Sequence, residues 1–113
     1  MPPGSFNNNQ REAQRFALNL SIEISLGPQI TLKGQLKDLS FKSAFIKIKH
    51  SIYLQINDEL DFTIYCSATN AKEVVQGSAR VSRIAVGEGI AIYFMKMDDG
   101  SISRLKKLLN IRA

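Results

Sequence analysis

The run Phe16-Ala17-Leu18-Asn19-Leu20-Ser21-Ile22-Glu23-Ile24-Ser25-Leu26 places an apolar side chain at every second position over eleven residues. A period of two is the mark of a β-strand with one buried face. Gly27 and Pro28 follow with turn chemistry, and Ile30, Leu32, Gly34 and Leu36 resume the alternation against Thr31, Lys33, Gln35 and Lys37. The two runs read as a hairpin. Phe45, Ile46 and Ile48 suggest a short third strand, and Leu60, Phe62, Ile64 and Cys66 alternate in a fourth. A longer segment from Glu73 to Ile84 carries Val75, Gly77, Ala79 and Val81 in phase, and Gly87 and Gly89 bracket the turn into a last strand, Gly89 to Met97. That strand is apolar on both faces, with Ile90, Ile92 and Phe94 on one and Ala91, Tyr93 and Met95 on the other. It therefore calls for cover from two sides, one of which the C-terminal segment can supply. In that segment Asp98, Asp99 and Ser101 are helix-start residues, and Ile102, Leu105, Leu108 and Leu109 recur at helical spacing. The expected fold is mainly all-β: a small six-stranded antiparallel barrel, since closure removes exposed edges, with one C-terminal α-helix.

Upstream of the first strand the composition changes. Pro2, Pro3, Gly4 and the triplet Asn7-Asn8-Asn9 leave residues 1–14 with almost no apolar surface, the composition of a flexible N-terminal arm. The expected division is an arm over 1–14 and a barrel with its helix over 15–113. At 113 residues the chain fits one domain. No apolar run reaches the roughly 18 residues of a membrane span, and the start lacks a signal-peptide core, so the expected setting is the cytoplasm. Cys66 is the only cysteine and His50 the only histidine, which leaves neither a disulfide nor a cysteine-built or histidine-paired metal site. The alternation makes Cys66 a small core thiol. The formal charge of +5 favours an anionic partner.

Two polar clusters flank the hairpin. Arg11 and Arg15 form an RxxxR pair just before the first strand, and Asp38, Ser40 and Ser43 follow the second. A guanidinium fork matches a phosphate or the acceptor edge of guanine, and its flat face stacks on a base. On a helix the two arginines would lie about 6 Å apart on one face, on an extended arm about 13 Å apart, and either spacing spans a dinucleotide. Asp38 is in phase with Ile30, Leu32 and Leu36, so a regular strand would drive its carboxylate inward. A buried unpaired carboxylate is costly, which places Asp38 at the barrel rim beside a donor. That donor is a guanine N–H edge, an arginine or a set of turn amides, and Ser40 and Ser43 add hydroxyls for phosphate or base. Taken singly, RxxxR reads as a solvated basic face, and Asp followed by Ser as a turn whose side chains bond local backbone. The information lies in their joint placement around the hairpin.

This arrangement resembles the PilZ domain family, whose members carry an N-terminal RxxxR and a later (D/N)xSxxG. Arg15-Phe16-Ala17-Leu18-Asn19-Leu20 is similar to the family's entry into its first strand, and Gly89-Ile90-Ala91-Ile92-Tyr93-Phe94 to its last strand. The resemblance implies a small barrel that binds the bacterial second messenger cyclic di-GMP. Arg11 and Arg15 would clamp guanine and phosphate from the arm, Asp38 and Ser40 would hold the ligand from the barrel, and the ordered arm would be read by a protein partner. One position departs from the pattern: Ser43 stands where the motif has glycine. Serine strains the loop if that position needs positive φ, and crowds the ligand if backbone and base approach closely; otherwise its hydroxyl is an extra contact.

Other function classes are less well served. A PilZ-like interaction module that binds no nucleotide is the alternative, suggested by Ser43 and by exposed Phe41 and Phe45. Nucleic-acid polymers would call for a basic stripe interleaved with exposed rings, whereas the aromatics here fall in core phase. No enzyme is expected, because His50 sits between Lys49 and Ser51 with no carboxylate or nucleophile patterned beside it. No cofactor is called for.

Overall fold

The computed structural model of the chain describes residues 16–17, 19–49, 53–67, 69–70 and 72–112. The expected arm, Arg11, Arg15 and His50 lie outside the described residues. The elements run β1 (Phe16–Ala17), β2 (Ser21–Ser25), β3 (Thr31–Leu39), β4 (Ser43–Lys47), β5 (Glu59–Tyr65), β6 (Val74–Ala85), β7 (Gly89–Met97) and α1 (Asp99–Arg112). All strand pairs are antiparallel, and β3–β4 pairing closes the order β3-β2-β5-β6-β7-β4 into a six-stranded barrel, with β1 added to the end of β3. The expected fold class is the observed one.

Burial follows the alternation that the sequence carries. Ile22 and Ile24 on β2, Leu32 and Leu36 on β3, Leu60, Phe62 and Ile64 on β5, Val75, Ala79 and Val81 on β6, and Ile90, Ile92 and Phe94 on β7 all face the interior. Phe62 and Phe94 stack with ring centroids 5.0 Å apart. Each fully buried side chain of this size contributes about 1.5–3 kcal/mol, which gives a barrel of short strands its stability. Gly89 is needed where β7 meets β4: its φ is 157, and a Cβ there would run into the Ile46 carbonyl. The turn between β2 and β3 uses Gly27 at φ 76 and closes with Leu26 N donating to Ile30 O at 2.8 Å.

The structure departs from simple alternation at several points. The first strand is interrupted: Ala17 pairs with Asp38 but Ser21 with Gln35, so four steps along the first strand match three along β3. Ile30, counted with the inward set, lies before β3 and is exposed. Cys66 lies just past β5 and is half-buried at the edge of the core. The outer face of β7 is not covered by α1, for Tyr93 and Met95 are 52% and 41% exposed.

The helix instead docks on β6. Asp98 caps it, Oδ1 accepting from Ser101 N at 2.7 Å, a contact that satisfies one of the helix's free N–H groups. Leu105 is buried, the buried Ser101 hydroxyl accepts from Gln76 N at 2.9 Å, and Arg104 donates to the Val74 carbonyl at 3.0 Å. Two side chains on the helix thus satisfy backbone groups at the start of β6. Polar anchoring at Gln76 and Val74 adds to the burial of Leu105 and ties the helix to β6.

Candidate ligand-binding site

Asp38 reaches the outer surface through a bulge. Leu36 pairs with Ile46 and Asp38 with Phe45, leaving Lys37 as the extra residue of β3. The bulge reverses the side-chain phase, so that Leu39 turns inward and is fully buried while Asp38 turns outward and is half-buried. The costly inward carboxylate that plain alternation implied is thereby avoided.

Ser40 and Ser43 bound the tight turn from β3 to β4. Ser40 N donates to Ser43 O at 2.8 Å. The Ser40 hydroxyl accepts from Ser43 N at 3.1 Å and Lys42 N at 3.3 Å, and lies 3.3 Å from the Ser43 hydroxyl. Ser40 is only 3% exposed, so its hydroxyl holds the loop in shape from within. Among the described non-glycine residues only Asn57 has positive φ, so Ser43 occupies ordinary backbone space and serine in place of glycine brings no φ strain. Phe41, at the tip of the turn, is 43% exposed, and Phe45 is half-buried.

Strand pairing sets Asp38 and Phe45 in one line with residues of other strands. Ala17, Asp38, Phe45, Ala91 and Arg83 are successive partners on β1, β3, β4, β7 and β6. Asp38, Phe45, Arg83, Ala91 and Glu88 line a shallow depression of about 520 Å³, and the Arg83 guanidinium carbon lies 5.6 Å from the centre of the Phe45 ring. Arg83 and Glu88 were not legible as wall residues, because a second bulge decides where Arg83 points. Val81 pairs with Ile92 and Arg83 with Ala91, which leaves Ser82 extra, its hydroxyl donating to the Ala91 carbonyl at 3.2 Å.

Away from this face, burial pushes the Cys66 thiol pKa up, with the Arg104 charge opposing. Tyr65 donates to Glu23 Oε1 at 3.0 Å, which raises its pKa. Neither group belongs to the outer-face line. Among the described residues no group of three or more His, Cys, Asp or Glu side chains is placed to hold a metal, and no helix is long and apolar enough to cross a membrane.

The PilZ domain model matches residues 9–110, a span that includes Arg11, Arg15, Asp38, Ser40 and Ser43. The chain belongs to the PilZ domain family. Its barrel is similar to other solved PilZ domains: that of YcgR from Escherichia coli with c-di-GMP (TM-score 0.68, 15% identity, 86% of each chain) and that of CeSA from a cellulose-synthesizing bacterium (TM-score 0.66, 18% identity, 88% of this chain and 99% of that one). The inhibitor of motility of Bacillus subtilis (MotI/DgrA) matches with TM-score 0.71 at 13% identity over 87% of this chain, which spans about half that protein's length (48%). At these identities the likeness is one of fold. No curated protein matches the chain. In this PilZ domain the outward Asp38 lines the outer-face depression and stands two residues before the turn that the Ser40 hydroxyl shapes.

Proposed function

We propose that this PilZ domain is a cytoplasmic receptor for cyclic di-GMP and acts without catalysis. The observation that carries this reading is the outward placement of Asp38 beside the turn built on Ser40, within a family match that also spans both arginines. Asp38 accepts from a guanine N–H edge, Ser40 shapes the loop that receives the ligand, and Ser43 contributes a hydroxyl at its mouth. Arg11, on an arm over 1–14, and Arg15, at the start of the barrel over 15–113 into which the arm leads, supply phosphate and base contacts. Binding draws that arm onto the barrel, and the new surface of arm plus ligand is what a protein partner recognises.

Each charge-assisted bond contributes about 1.5–3 kcal/mol, so calorimetric titration with cyclic di-GMP should show binding by the intact protein and at least about tenfold weaker binding by Arg15→Ala. Amide exchange over residues 9–15 should slow when ligand is added to the intact protein. Absence of heat from the intact protein at high ligand refutes the receptor reading.

A second reading has its own support in the exposed Phe41, Tyr93 and Met95, side chains suited to a protein partner. It makes the domain an interaction module independent of nucleotide. A partner captured equally well with and without cyclic di-GMP favours it, and capture only with ligand opposes it.

A further inference from the structure

We propose that Arg83, outside both sequence clusters, is a further ligand-binding residue of this site and reads the O6/N7 edge of the guanine whose N–H edge Asp38 holds. The inference rests on the cyclic di-GMP reading above. Strand pairing supplies its geometry. Asp38 and Arg83 lie at the two ends of the line Asp38–Phe45–Ala91–Arg83, three strand spacings apart, or about 14 Å between backbones. Between them Phe45 and the small Ala91 form a low floor. The Arg83 side chain leans back along that line until its guanidinium lies over the ring of Phe45, the residue that pairs with Asp38. A carboxylate and a guanidinium therefore face one shallow recess from two strands.

The chemistry of that pairing selects guanine. Guanine carries donors at N1 and N2 and acceptors at O6 and N7 on adjoining edges, so one carboxylate and one guanidinium fork can hold the same base. Adenine places a donor at position 6 and an acceptor at N1, which opposes both side chains. Among the described residues Glu88 also lines the recess, beside Asp38 and Arg83. The contact with Phe45 holds the Arg83 guanidinium near the recess before ligand arrives, which lowers the ordering cost of binding.

Titration of cyclic di-GMP into the intact protein, Arg83→Ala, Arg83→Lys and Arg15→Ala tests this, with thermal melting of each as the control. Because Arg83 is exposed, Arg83→Ala should melt near the intact protein yet bind at least about tenfold more weakly. Arg83→Lys keeps the charge but loses the planar fork, and should remain about fivefold or more below the intact protein. If Arg83→Lys binds like the intact protein, the contact is to phosphate and the base-edge assignment is overturned. If Arg83→Ala binds like the intact protein while Arg15→Ala is weakened, Arg83 serves only to shield Phe45, and the receptor reading survives without it. If the intact protein binds no cyclic di-GMP, both fall together.

Discussion

Ser43 shows how a single residue changes meaning once its backbone is known. In the sequence it departs from a glycine motif, and the cost depended on a φ value that spacing does not reveal. Its φ is not positive, and its amide is already held by the Ser40 hydroxyl. Glycine there would relieve no strain and would add freedom to the unfolded chain. Ser43→Gly should therefore lower stability by about 0.5–1 kcal/mol, read from denaturant melts, and weaken cyclic di-GMP affinity by no more than about tenfold, since one neutral hydroxyl contact is worth only about 0.5–1.5 kcal/mol. A much tighter Ser43→Gly would mean that the serine Cβ crowds the ligand. Asp38 was legible as a rim residue because an inward carboxylate is costly, but the device that turns it outward, the extra Lys37 in β3, was not. No local signal in Leu36-Lys37-Asp38-Leu39 distinguishes a bulge from a regular strand.

At the scale of elements, the strands and helix were readable because period-two and helical spacings survive in short windows, as in β5 and α1. What pairs with what was less so. The approach of β6 to β7 depends on Gly77, which sits opposite Met97 near a bulge that leaves Met95 extra in β7. A Cβ at Gly77 would meet the Lys96 carbonyl, which is backbone and cannot rotate away. Gly77→Ala should thus force the strands apart and cost roughly 1–3 kcal/mol in a urea melt, even though its φ is unremarkable and alanine is ordinarily easier to order than glycine. An unchanged midpoint would show that β7 yields there. The helix teaches a related lesson: its apolar spacing announced that it would pack, while Gln76 N and the Val74 carbonyl decided where.

Over the whole molecule, stability should depend on pH most clearly on the alkaline side. The folded state raises the pKa of Cys66 by burial and that of Tyr65 through its bond to Glu23, so in both the protonated form is favoured by folding. Their contribution is complete below the unfolded-state pKa values and is lost as pH rises through the folded ones. The melting temperature should start to fall above pH 9.0, the ordinary thiol value, and Cys66→Ala should flatten the first part of that fall. A melting temperature that climbs across this range contradicts the assignment.

The sequence by itself determined most of the strands, the terminal helix, most of the inward set of side chains and the family likeness carried by Arg11, Arg15, Asp38 and Ser40. These are local matters, fixed by side-chain period and short spacing. Tertiary structure alone decided the bulges at Lys37 and Ser82, the docking of the helix on β6, and the line from Asp38 through Phe45 and Ala91 to Arg83. The reason is closure. A six-stranded barrel must bend its strands to meet, each bulge that permits the bend reverses which side chains face out, and residues distant in the chain then share one outer surface.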